Sequence, residues 1–279
     1  MYISEEIITS RQNKSVSLAA GLENRKQRER EGLFRFDGYK LFVEAVQKGV
    51  KIDRVFLRQS EAGKWLSLMS EHEAALNEAS VLLLADSLFD RLSTERAPEG
   101  ILTVAGRPEI HAPLGAASAA KLAELSADKE KRIFLLESIR DPGNMGTILR
   151  SAAAFGADLV VISSDCADLL NPKTVRGAMG AIFRQPTAVF SELSEAIGIL
   201  KQNGRRVLGA ALDREALALS KSVLRAGDCL VVGNEGHGLT AGTLAACDEK
   251  LFIPMEKDSE SLNAAIAASV LLWSMYSGF

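Results

Sequence analysis

The stretch Arg132–Ser163, RIFLLESIRDPGNMGTILRSAAAFGADLVVIS, decides the fold. IFLLE is a continuous apolar run of the kind a strand shows when both its faces are buried. DPGNMG carries two glycines, Gly143 and Gly146, that allow the backbone to turn tightly, and TILRSAAAFG is a helical segment closed by Gly156. LVVIS is a second buried strand, so the whole stretch is one parallel strand–helix–strand unit. The alternation continues to the carboxyl end: helix PKTVRGAMGAIF, strand TAVF, helix SELSEAIGILKQNG, strands RVLGAAL, CLVVG and LFIP, and a closing helix from about Leu262. A parallel sheet covered on both faces follows, and such sheets bind ligands beyond the carboxyl ends of their strands.

Working back towards the amino end, residues 111–130 are Ala-rich with one Pro and one Gly, and predict a linker that becomes a short helix. Residues 1–110 hold a second alternation. Its strands are VFLR from Val55, VLLLA from Val81 and ILTVAG from Ile101; its helices are a polar one over Ser17–Glu31, an amphipathic one over Tyr39–Lys48 that ends at Gly49, and a third over Glu61–Asn77. The expected organisation is therefore a small α/β domain over 1–110, a linker over 111–130 and a parallel α/β domain over 131–279. No internal repeat relates the two alternations.

Composition narrows the function. The chain has 279 residues, of which 47% are hydrophobic and 25% charged, with a formal net charge of -3. A slightly acidic protein does not coat nucleic acid by bulk charge, so any RNA contact has to be local. The candidate is NRKQRER, which puts Arg25, Lys26, Arg28 and Arg30 within two helical turns, with Arg11, Lys14 and Arg35 nearby. A solvated helix face with interleaved glutamates is the plain alternative. The opening MYISEEIITSRQ is acidic where a signal peptide is basic, and the apolar run Ala264–Trp273 is too short for a bilayer, so a cytoplasmic protein without a membrane partner is expected. Three cysteines without CxxC spacing and three scattered histidines argue against a disulfide framework or a metal site.

Three loops after strands carry the candidate chemistry. In DPGNMGTILR, Asn144 can donate and accept hydrogen bonds at a helix entrance, and Arg150, six residues on, offers a guanidinium suited to phosphate. LVVGNEGHGL has three glycines in ten residues that free backbone groups to face a ligand. Its spacing is not that of a dinucleotide fold, and Glu235 disfavours phosphate there. In FIPMEKDSESLNA, Ser261 or Ser259 can cap the last helix, and Asn263 is a poor helix former placed just inside it.

Taken in order and spacing, DPGNMGTILRSAAAFGA, LVVGNEGHGL and FIPMEKDSESLNAAIAASVLLW resemble the three motifs of the SpoU (TrmH-like) branch of the SPOUT RNA methyltransferases. NPKTVRGAMGAIFRQP is similar to the segment between the first two. ITSRQNKSV, the basic helix and FRFDGYKLFVEAV resemble the substrate-binding domain of the same branch, related to ribosomal protein L30. The resemblance implies an α/β fold with a carboxyl-terminal trefoil-knotted methyltransferase domain, S-adenosylmethionine as cofactor and a homodimer. It places Gly233, Ile253 and Leu262 at cofactor-contact positions with Met255 lining the same pocket, and Asn144, Arg150, Glu235, Ser261 and Asn263 in the polar active-site set. No metal is implied. Lys257 stands where the family usually has glycine. The implied activity is 2′-O-methylation of a ribose in structured RNA, ribosomal RNA ahead of transfer RNA, since DNA lacks the hydroxyl. Arg150 would clamp a phosphate and orient the hydroxyl, Asn144, Ser261 and Asn263 would position ribose and loops, and Glu235 would orient loop backbone or Arg150. The rival from another class is a non-catalytic RNA-binding assembly factor.

Overall fold

The computed structural model describes residues 2–213, 215–220, 223–256 and 261–278. The chain divides into two compact units, Met1–Pro108 with Leu170–Phe183, and Glu109–Leu169 with Arg184–Phe279.

The first unit runs β1 (Tyr2–Ile8), α1 (Lys14–Gly21), α2 (Arg25–Glu31), β2 (Leu33–Asp37), α3 (Tyr39–Gln47), β3 (Ile52–Arg58), α4 (Ala62–Met69), β4 (Ser80–Leu84), α5 (Asp86–Leu92) and β5 (Ile101–Gly106). Its sheet has the order β1-β4-β3-β5-β2. The first three strands are parallel, and β5 is antiparallel to both its neighbours. One face buries Leu22, Phe56, Phe89 and Val104 beneath the helices. Strands β1 and β2 were not expected from the sequence, because glutamates in one and Arg35 in the other interrupt the apolar pattern. The single polar helix expected over Ser17–Glu31 is two helices. Asn13 and Asn24 each start one, their Oδ1 atoms accepting from Ser15 N and Lys26 N, both at 2.9 Å. An asparagine that caps in this way competes with helix continuation through the same residues.

The second unit continues with β6 (His111–Ala112), α6 (Ala116–Ser126), β7 (Ile133–Leu136), α7 (Pro142–Ala154) and β8 (Leu159–Ser163). After α8 (Pro172–Ala178) come β9 (Thr187–Phe190), α9 (Leu193–Gln202), β10 (Val207–Ala210), β11 (Leu217–Ala218), β12 (Cys229–Val232), α10 (Ala241–Ala246), β13 (Glu249–Phe252) and α11 (Ala264–Ser277). The eight strands lie in the order β11-β13-β10-β12-β7-β8-β9-β6, and their pairings are parallel. Every residue of β7, β8 and β12 is buried, which is why these strands read as unbroken apolar runs.

Two segments sit differently from their reading in the sequence. Residues 111–130 carry β6 and α6, and Ala112 and Leu122 belong to the core of the second unit. Arg205 fastens the end of this stretch: its guanidinium is 3% exposed and donates to the carbonyls of Ser126 (2.8 Å), Lys131 (2.8 Å), Gly227 (3.2 Å) and Asp128. Helix α8 and the 3-10 turn Ala181–Phe183 belong to the first unit, where the Phe183 ring packs edge-on against Phe36 at 5.4 Å.

Candidate active site

All three motif loops leave the carboxyl ends of parallel strands in one part of the sheet: β7 before α7, its neighbour β12 before the loop 233–240, and β13, one strand further on beyond β10, before 253–263. The glycine-rich turn expected in DPGNMG is the first turn and a half of α7. Asp141 caps it, its Oδ1 accepting from Asn144 N at 2.8 Å, and Pro142 stands at the first helical position. Helix α11 likewise begins at Ala264, and Asn263 is its cap, accepting from Ala265 N at 2.9 Å; Ser261 has no capping role.

The loop after β12 closes on itself. Asn234 and Gly238 pair through both backbone groups, Gly238 has φ +68°, and a Cβ on Gly233 would fall into the Gly238 backbone and 2.6 Å from the Leu239 nitrogen. Only glycine fits at 233. Two side-chain contacts anchor this loop to the end of β7. The buried Glu137 carboxylate accepts from Thr240 N (2.7 Å), Thr240 Oγ1 (3.0 Å) and Thr243 Oγ1, and Asn234 Nδ2 donates to Ser138 O at 2.9 Å.

Between the loops lies a cavity of about 260 Å³, towards the small end for ligand sites. Gly233, Ile253, Met255 and Leu262, the four expected cofactor positions, all line it, together with Leu251, Phe252, Asn234, Glu235 and Ser261. Among the described residues its wall is apolar, its rim holds one carboxylate, and no lysine or arginine lines it. That chemistry suits an amphipathic ligand carrying positive charge, as a sulfonium with an amino group does, and not a phosphate.

One polar side chain from each motif meets beside the cavity. Asn144 Nδ2 donates to Glu235 Oε1, and Asn263 Nδ2 donates to Asn144 Oδ1 at 3.1 Å. Arg150 stands apart. It is exposed, and six residues along α7 carry it roughly 120° around the helix from Asn144. This places it beside Thr147, which lines an apolar groove with Phe155, Ile266 and Trp273. Lys257 and Ser259 lie outside the described residues.

Of the four cations expected to meet RNA, Arg25, Lys26 and Arg30 are exposed on α2, Arg25 pairing with Glu29 (2.8 Å) and Arg30 with Glu31 (2.9 Å). Arg28 is the correction. It is buried, and its Nη1 donates to the carbonyls of Leu22 (2.7 Å) and Glu23 (2.8 Å), so it fixes the elbow between α1 and α2. Arg35 is buried under the same elbow.

Nothing local in the sequence marks Glu137 or Ser138 as residues that shape the site, since each acts through contacts distant in the chain. Asn234 was visible beside Glu235, in a loop already marked by its glycines. Among the described residues no group of His, Cys, Asp and Glu could hold a metal, and no helix is long and apolar enough to cross a membrane. The three cysteines are free; burial pushes the thiols of Cys229 and Cys247 up to about 11.

Comparison with known proteins agrees with this geometry. Residues 13–103 match the MRM3-like substrate binding domain, so the first unit carries a substrate-binding domain. Over 272 residues the chain is 29% identical to the 23S rRNA (guanosine(2553)-2′-O)-methyltransferase RlmP of Bacillus subtilis, covering 96% of this chain and 98% of that one. An AdoMet-bound rRNA methyltransferase from Sinorhizobium meliloti has the same fold (TM-score 0.81, 22% identity, 98% and 97% of the two chains). A solved RNA 2′-O ribose methyltransferase superposes with a TM-score of 0.77 at 25% identity, over 98% and 99% of the chains. Residues 131–273, more than half of the chain and all three motif loops, match the SpoU rRNA Methylase family, and to that family this protein belongs.

Proposed function

We propose that the protein transfers a methyl group from S-adenosylmethionine to a ribose 2′-hydroxyl of ribosomal RNA. The observation that carries this reading is the meeting of Asn144, Glu235 and Asn263 at the edge of a cavity lined by Gly233, Ile253, Met255 and Leu262. The relative's activity on 23S rRNA supports the choice of RNA.

When bound, the cofactor would supply a methyl group on a cationic sulfur; its transfer to an in-line 2′-oxygen would break the sulfur–methyl bond, leave a neutral thioether and release the hydroxyl proton to solvent. The protein's part is alignment and electrostatics. Glu235 places negative charge at the cavity rim, and its bond to Asn144 holds the amide whose other end receives Asn263, so the three loops are pre-set before RNA arrives. The planar fork of Arg150 holds an RNA phosphate and orients the hydroxyl. Because Arg150 lies on the α7 face beside the apolar groove, a complete site calls for a second copy of the chain packed there. Ile266, Trp273 and Tyr276 are about half exposed on α11 and suit burial in such a homodimer. The strand order β13-β10-β12-β7 supports a threaded, knotted carboxyl-terminal segment.

The test has two arms. Calorimetry with S-adenosylmethionine should show one site per chain in the wild type, and none in Gly233→Val. Ribose-methylation mapping of 23S rRNA from cells with and without the protein should show one position that depends on it. Arg150→Ala should slow single-turnover methylation about a hundredfold, roughly 3 kcal/mol, with cofactor affinity unchanged. A wild type that binds no cofactor would make the protein an RNA-binding assembly factor instead.

A further inference from the structure

The connection between β7 and α7 holds a residue in an uncommon conformation. Ser138 has φ +54°, a left-handed backbone that a side chain with a Cβ rarely adopts. Such strain persists where the surroundings over-determine it. Here they do: Ser138 is buried, its N–H donates to Ser163 Oγ (2.9 Å), its hydroxyl donates to Asp165 Oδ2 (2.6 Å), and its carbonyl accepts from Asn234.

Asp165 is the centre of this arrangement. It also accepts from Ser163 Oγ at 2.6 Å and from Arg140 Nη2 at 3.2 Å. Burial alone would raise its pKa, but the two hydroxyls and the Arg140 guanidinium outweigh that and hold the carboxyl below its ordinary range. The carboxylate therefore stays charged while it grips Arg140. The grip does little for stability, because the Arg140 side chain is 66% exposed and an ion pair so wet contributes next to nothing. It does fix a direction. Arg140 immediately precedes Asp141, the cap of the helix that carries Asn144 and Arg150, and with one nitrogen bound to Asp165 most of its side chain stays open to solvent.

We propose that Arg140 is a second phosphate-binding residue for the RNA substrate at the rim of the active site, and that Asp165 and Ser138 are positioning residues that aim it. This rests on the RNA methyltransferase reading above. The Ser138 carbonyl that restrains Asn234 and the Ser138 hydroxyl that restrains Asp165 belong to one residue, so the cofactor loop and the phosphate contact share an anchor.

The experiment measures binding of deproteinised 23S rRNA, from cells lacking the protein, across a salt series, with calorimetry for S-adenosylmethionine and thermal melting on the same full-length proteins. Arg140→Gln should weaken RNA binding about tenfold and flatten the salt dependence by about one released counterion, with cofactor affinity and melting unchanged. Asp165→Asn keeps the cation but loosens its aim, so it should weaken binding about threefold with the salt slope intact, and add nothing in the Arg140→Gln background. An Arg140→Gln protein with wild-type affinity and slope overturns the phosphate role. An Asp165→Asn effect that persists in the double variant, or that appears as lost cofactor affinity and melting temperature, overturns the positioning role. Wild-type protein that binds this RNA without methylating it would sink the function reading alone and leave both comparisons readable.

Discussion

Arg205 in the second unit and Arg35 in the first are both buried, at 3% and 1% exposure, and they are buried in opposite ways. Among the described residues Arg205 meets no carboxylate. Carbonyl oxygens of Ser126, Asp128, Lys131 and Gly227 surround its guanidinium, and all three nitrogens donate. Arg35 has a carboxylate, Glu23 at 2.5 Å, but among the described residues its Nε and Nη1 have no partner, and Glu23 is 61% exposed. Burial lowers the Arg35 pKa in spite of Glu23 and Asp37. Carbonyl dipoles aimed inward thus satisfy a buried cation more fully than one wet ion pair does. The consequence is that the fold should lean on Arg205 and hardly at all on Arg35.

Replacing each with a methionine of similar length puts this to the test. Arg205→Met would take the shared donor away from four carbonyls at the join between α6, β7 and the loop before β12, of which, among the described residues, only that of Asp128 keeps a backbone partner, Lys131 N, and should cost about 4 kcal/mol in urea unfolding. Arg35→Met removes a cation that is already short of partners and leaves Glu23 in water, not buried without a counter-charge, so its cost should stay below about 1 kcal/mol. Equal losses from the two variants would break the comparison.

The smallest effect concerns Asp37, beside Arg35. Burial raises its carboxyl pKa above the ordinary value, against the pull of the Ser93 hydroxyl (2.6 Å) and of Arg35. A raised folded-state pKa means the folded protein binds more protons than the unfolded chain in that window. Stability contributed by this group therefore rises as pH falls through the folded pKa, and at pH 7 the ionised group is a burden. Asp37→Asn should raise the melting temperature slightly at pH 7, and the gain should vanish in acid, below the ordinary aspartate range. The gain should be larger in the Arg35→Met background, where no cation offsets the buried charge. A loss of melting temperature at pH 7 in both backgrounds would show that the Ser93 bond needs the carboxylate.

The same contrast explains what the sequence could reveal. Strands β7, β8 and β12 were legible because burial on both faces leaves unbroken apolar runs, and the three motif loops were legible because glycine, asparagine and proline mark strand-to-helix turns. All four expected cofactor positions line one cavity for that reason. What could not be read were cations spent internally. In NGRRVLG nothing local distinguishes Arg205, which is buried, from Arg206, which pairs with Asp228 (2.5 Å) and Glu249 (3.0 Å). In NRKQRER nothing marks Arg28 as the one that turns inward. Ser138 was invisible for a related reason, since its conformation is set by Ser163, Asp165 and Asn234 and not by its neighbours in the chain.

Helix α8 and its following turn, Leu170–Phe183, belong to the first unit, and so the backbone passes between the units three times, after residues 108, 169 and 183. A single protease cut at the first passage would free residues 1–108 as a separate chain, held only by packing against Leu170–Phe183, so the nicked protein should elute as one species under native conditions and as two under denaturing ones. Swapping the substrate-binding domain for that of a relative is constrained in the same way. A graft of residues 1–108 alone would set a foreign sheet against the old Val175, Ile182 and Phe183, all buried. The donor's counterpart of Leu170–Phe183 has to travel with it, so the exchangeable cassette is two pieces of chain and not one.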